Sequence, residues 1–138
     1  MSTGCVIDSS VGLAWVHPDQ ATPETDKLLA AVETGSNILV PSLWFLEIAN
    51  GLLALQRRKK LTATERKTAL ETLARLNFTL DEEAGRAFRE ISELAAEHGL
   101  SVYDAVYLEL AVRRKLPLAS RDEALCKAAQ SCRVKLLL

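Results

Sequence analysis

No apolar run in these 138 residues approaches the roughly 20 needed to cross a bilayer. The opening MSTGCVIDSS also lacks the basic segment and long apolar stretch of a secretory leader. The expectation is a cytoplasmic chain without a membrane partner. Prolines number only four and long polar tracts are missing, so no linker or disordered tail is expected. A chain of this length can bury roughly two thirds of its unfolded surface, which suits one domain over 1–138. Cysteines are few and odd in number (Cys5, Cys126 and Cys132), with no C-x-x-C spacing. That supports neither a disulfide framework nor a structural zinc site, and the three read as small core residues. An excess of charge is missing as well: 17 basic against 18 acidic side chains give no argument for wholesale nucleic-acid binding, so any polynucleotide must be held by a local patch. Neither G-x-x-x-x-G-K-[ST] nor G-x-G-x-x-G occurs, which argues against a kinase or a dehydrogenase. His17 and His98 lie outside every motif described below and read as surface residues.

What is present is an alternation of short apolar runs with longer helical patterns. The runs at 5–7, 38–40, 78–80, 118–119 and 134–138 read as strands buried on both faces. Helices are expected at about 10–16, 23–34, 42–59, 63–76, 82–98, 102–115 and 122–131. Strands separated by helices imply βαβ crossovers and a mainly parallel sheet covered by helices. Thr22 before Pro23 marks one helix start, and Thr62 with Glu65, Ser101 with Asp104, and Ser120 with Glu123 have capping-box spacing. Gly99 after His98 reads as a helix stop, and Gly51 inside an apolar helix as a point of close packing.

Four acids stand out against this frame. Asp8 follows the run Cys-Val-Ile, at the carboxyl end of the first strand, where ligands of open α/β sheets bind. A helix N-cap at Asp8, Ser9 or Ser10 explains the same position equally well. Glu47 sits in LWFLEIANGLLAL, apolar on nearly every face, with Leu43, Asn50 and Ala54 on its stripe. A carboxylate buried there needs a cation or a cleft. Asp104, in SVYDAVYLELAV, and Asp122, after Pro-Leu-Ala-Ser, each admit a helix-capping explanation. Capping accounts for three of the four acids and leaves Glu47. Parallel neighbours spaced by about 4.8 Å would open Asp8 and Asp122 onto one rim, where their repulsion calls for a counterion. Oxygen-only ligands favour Mg²⁺ or Mn²⁺ over zinc, and such a site suits phosphodiester hydrolysis.

At these residues the sequence resembles the PIN-domain nucleases, and in particular the VapC-type toxins of toxin–antitoxin pairs. The resemblance rests on VIDSSV, VPSLWFLEIANGLL, LSVYDAVYLELAVRRKLPLASRDEAL and the closing VKLLL, in that order, and covers essentially the whole chain. It implies an α/β/α sandwich around a parallel sheet, metal-dependent endoribonuclease activity, and inhibition by a small VapB-like antitoxin. It also implies that Asp8 and Asp104 are the principal metal-binding acids and that Glu47 and Asp122 complete the cluster. Ser120 matches a supporting hydroxyl, and Ser9 lies beside the first acid.

The run Arg57, Arg58, Lys59, Lys60 reads as solvated cations at a helix C-terminus, with RNA contact the weaker reading, while Arg121 beside Asp122 is a candidate for the RNA backbone. Trp15, Trp44, Tyr103 and Tyr107 read as core or interface residues rather than base-stacking platforms. The segment from Leu43 to Leu55 offers more apolar face than one sheet contact covers, so a homodimer or an antitoxin contact is expected. Two alternatives stay open. A metal-dependent phosphatase with the first-strand aspartate as nucleophile would want a second aspartate where Ser10 stands, and a non-enzymatic interaction module would need no turnover.

Overall fold

The computed structural model describes residues 4–82 and 84–138. The leader reading at the extreme N-terminus, and position 83 of the helix expected over 82–98, therefore fall partly outside the described residues. In chain order the elements are β1 (Cys5–Ile7), α1 (Ser9–Val16), a 3₁₀ turn (Pro18–Gln20), α2 (Pro23–Glu33), β2 (Ile38–Pro41), α3 (Ser42–Arg57) and α4 (Ala63–Ala74). There follow β3 (Phe78–Asp81), a second 3₁₀ segment (Ala84–Phe88), α5 (Glu90–His98), α6 (Val102–Arg114), β4 (Leu118–Ala119) and α7 (Glu123–Ser131).

The four strands form one parallel sheet in the order β3-β2-β1-β4. Each strand returns to the same end of the sheet only after a helical crossover, as a parallel ladder requires. Helices α1 to α4 pack on one another, α5 to α7 form a second group, and α6 lies against β1, β2 and β4. The result is the expected α/β/α sandwich. Strands β1 and β2 are buried throughout, which is why they read as unbroken apolar runs.

Two expected strands differ. β3 is an edge strand whose residues are half-buried or exposed, so it is not covered on both faces. The run 134–138 contributes a single parallel bridge, Leu118 to Leu136, flanked by Leu118 N–H to Lys135 O at 2.9 Å and Leu137 N–H to Leu118 O at 3.1 Å. β4 is only two residues long and offers no more ladder to extend. The helix expected over 82–98 is broken too. Its first part is the 3₁₀ segment containing Gly85, and Arg89, at φ −134° and ψ −91°, interrupts the path before α5 begins.

Capping follows the sequence at Thr22, paired with Thr25, and at Thr62, paired with Glu65. Gly99 closes α5 in the left-handed region at φ 64°. At α7 the cap is Asp122 and not Ser120, whose hydroxyl is used elsewhere. His17 is buried, not at the surface: its N–H ends α1 on Leu13 O at 2.9 Å. Cys5 is a core residue, whereas Cys126 and Cys132 are half-exposed.

Helices α1 and α3 meet closely because each brings a glycine to the other. A Cβ on Gly12 would lie 2.7 Å from both Ile48 Cδ1 and Trp44 Cζ2, and one on Gly51 would lie 2.9 Å from Leu13 Cδ1. This crossing, with Trp44 Nε1–H donating to Asp8 O at 3.1 Å, holds the start of α3 against the end of β1. A separate apolar cavity of about 210 Å³ opens between the start of α3, the second 3₁₀ segment, α5 and α6, and none of Asp8, Glu47, Asp104 or Asp122 lines it.

Candidate functional site

Asp8 leaves β1 with extended backbone and immediately caps α1, its Oδ1 accepting from Val11 N–H at 3.3 Å. Its own N–H donates to Ala119 O at 3.2 Å, which aligns the ends of β1 and β4. The residue is 5% exposed and its carboxylate receives two hydroxyls: Ser10 donates to Oδ1 at 2.6 Å and Ser120 donates to Oδ2. Each hydroxyl is itself oriented by a backbone amide of the β4–α7 connection. Arg121 N–H donates to Ser10 Oγ and Asp122 N–H to Ser120 Oγ, both at 2.9 Å. Capping and clustering are thus not competing explanations of Asp8, because the same carboxylate does both.

Asp122 likewise caps α7 through Leu125 N–H at 3.0 Å while sitting one residue past that connection. Asp104 lies in the first turn of α6, where Ser101 Oγ accepts its N–H at 3.1 Å. Glu47 is half-buried on α3, at the margin of the buried stripe formed by Trp44, Ile48, Leu52 and Leu55. Its Oε1 accepts from the Tyr107 hydroxyl, and Ser9 supplies a further side-chain hydrogen bond from α1.

The electrostatics tie these four acids into one group. Burial raises the Asp8 carboxyl above its ordinary 3.8, and the charge of Asp104 adds to this against the hydrogen bonds from Ser10, Ser120 and Val11. Burial also raises Glu47 above 4.5, with Asp104 and Asp8 repelling it and Tyr107 and Ser9 opposing the rise. Asp104 is raised by burial and then by Asp122, with Ser101 opposing. Nearby, the half-exposed Cys126 thiol is pushed up by burial and then by Asp8 and Asp122, so it is not an activated nucleophile. Among the described residues no Lys, Arg or His forms an ion pair with any of the four acids. Arg121 is exposed and enters the network through its backbone only.

The donor set is all oxygen, anionic and internally repulsive, which is the chemistry that fits a hard divalent cation. Among the described residues, however, no three His, Cys, Asp or Glu side chains stand as a ready cage around one point. The acids are close enough for their charges to act on one another without forming such a cage. Sequence reasoning missed two members of this network. Ser10 was visible two residues after Asp8, a spacing that lets a hydroxyl turn back on an aspartate, and Tyr107 stands one helical turn beyond Asp104, on the same face.

Residues 5–130 match the family profile described as PIN domain. The chain is 35% identical over 126 residues to a protein named VapC ribonuclease in Mycobacterium bovis and to Ribonuclease VapC9 of Mycobacterium tuberculosis, spanning 91% of this chain and 91% of each relative. Two solved structures share the fold at low identity. VapBC2 from Rickettsia felis, bound to a DNA fragment from their promoter, gives a TM-score of 0.68 at 11% identity over 96% of each chain. VapBC-5 from Mycobacterium tuberculosis, a member of the VapBC family of toxin-antitoxin systems, gives 0.59 at 20% identity over 98% of each chain.

Proposed function

The chain belongs to the PIN-domain family, and from that premise we propose that it is a metal-dependent endoribonuclease, hydrolysing RNA phosphodiester bonds as the toxin of a toxin–antitoxin pair. The whole of 1–138 is read as one nuclease domain. The observation that carries the reading is the group of four carboxylates gathered where β1, α3, α6 and the β4–α7 connection meet, with no protein cation beside them among the described residues. Asp8, Glu47, Asp104 and Asp122 would hold Mg²⁺ or Mn²⁺. A divalent ion there supplies charge to polarise the scissile phosphate and to lower the pKa of an attacking water.

The chain's own residues have distinct tasks. Ser10 and Ser120 fix the Asp8 carboxylate, Ser9 steadies Glu47, and the caps at Asp8 and Asp122 place both acids at the amino ends of helices, where an approaching phosphate meets favourable dipoles. Arg121, exposed beside Asp122, is placed to meet the RNA backbone. Phe45 and Leu46 on α3 are exposed apolar side chains, which supports association with a second copy or with the antitoxin. The test is end-mapping of RNA fragments produced by the purified chain with Mn²⁺ or Mg²⁺ and with chelator. Internal cuts that vanish with chelator are expected. Release of phosphate from monoesters alone would favour a phosphatase, and no turnover under any metal would leave an interaction module.

A further inference from the structure

Tyr107 is 1% exposed, deep in α6, and its hydroxyl donates to Glu47 Oε1 on α3, a residue 60 positions earlier. One turn before it on the same helix stands Asp104, whose charge acts on Glu47. The phenol therefore joins the two helices that carry these acids. A phenylalanine would fill the same space, so packing alone does not call for the hydroxyl. Of the two Glu47 oxygens, Oε1 accepts the phenol, which together with the Ser9 hydrogen bond restricts the rotation of the carboxylate and the direction of its remaining lone pairs.

We propose that Tyr107 is a positioning residue for the metal centre, holding the Glu47 carboxylate through its hydroxyl in the orientation in which it would bind a cation. This rests on the metal-centre reading given above. Removing the hydroxyl leaves the ligand and its Ser9 hydrogen bond in place but takes away the support from α6, and loss of such a supporting bond typically costs about 10- to 100-fold in metal affinity.

The test is a double-mutant cycle read as the Mn²⁺ dependence of thermal melting for four proteins: the parent 138-residue chain, Tyr107→Phe, Glu47→Ala and the double variant. The expected result is a Kd raised about tenfold by Tyr107→Phe in the parent background and less than about twofold when Glu47 is already alanine. Metal-free melting of Tyr107→Phe should stay within about 3 °C of the parent. An unchanged Kd in Tyr107→Phe overturns the proposal, as does an equal loss in both backgrounds. A metal-free melting temperature that falls in step with affinity makes the residue a packing element and overturns it too. Absence of any saturable Mn²⁺ effect on the parent chain is a different failure, because it removes the metal-centre reading itself.

Discussion

Glu109 is as buried as Asp8, each 5% exposed, and the Asp81 side chain is only 8% exposed, yet these two acids live in the opposite electrostatic setting. Arg113 grips Asp81 with two nitrogens, at 2.7 and 3.1 Å, and reaches Glu109 through Nε at 2.9 Å. Arg114 adds a contact to Asp81 at 3.5 Å, and Arg86 lies 4.0 Å from Glu109. The partners hold the Arg113 guanidinium firmly in its charged form. Asp8 and the three acids around it have no such partner among the described residues, only hydroxyls, amides and one another. Buried acids with matched guanidinium groups are already satisfied by the fold. Acids supported only by neutral donors keep their mutual repulsion, which the fold itself does not cancel.

The sharpest way to break this contrast is to neutralise one member of the open group. Asp8→Asn keeps the size and the N-cap but removes an anionic ligand, and metal-dependent RNA cleavage should fall about a thousandfold or more, about 4 kcal/mol, with the fold intact by circular dichroism. The corresponding change in the matched group should act on stability instead. Arg113→Ala leaves Asp81 and Glu109 buried without their main counter-charge, and urea denaturation should show a loss of about 3 kcal/mol. The Mn²⁺ affinity of the folded variant should stay close to that of the parent, since Arg113 touches none of the four acids.

A pH series sharpens the contrast further. Folding raises the Asp8 pKa above its ordinary 3.8, so this carboxyl's contribution to metal-free stability is fully present at low pH and is lost as pH rises through the raised value. The net upward direction means that burial and Asp104 outweigh the three hydrogen bonds that Asp8 accepts. Metal-free Asp8→Asn should therefore melt at least as high as the parent at neutral pH, with the gap closing on acidification through the raised value. A gap that widens on acidification would contradict the assignment. The smallest expected effect is at Asp122→Asn, where metal-free stability should move by less than about 0.5 kcal/mol because asparagine caps as well as aspartate. Its RNA cleavage should nevertheless drop, separating the two duties of that side chain in one assay pair.

The positions of Asp8 and Asp122 were legible because each follows a short apolar run, and a parallel strand delivers its next residue to the same rim every time. Glu47 was legible from its apolar surroundings, although the structure leaves it half-buried at the edge of the stripe and not enclosed. The Arg113 cluster was half visible: Glu109 and Arg113 have i,i+4 spacing on α6, but Asp81 lies 32 residues away and nothing local announces it. The run 134–138 looked like a strand because apolar composition does not reveal how much ladder its neighbour can offer. His17 was misplaced for a related reason, since a polar residue at a helix end is buried or not according to what packs over it.

The hydrogen bond from Ser120 to Asp8 joins residues 112 apart. During synthesis at about 5–20 residues per second, the first strand therefore emerges on the order of ten seconds before the hydroxyl that fixes its aspartate. β2 can pair with β1 early, but the ladder from β1 to β4, the Ser120 support and the Asp122 carboxylate all arrive together, only once the β4–α7 connection has been made. A nascent chain can thus assemble much of its core while the group of four acids stays incomplete, and synthesis of the β4–α7 connection completes that group in a single step.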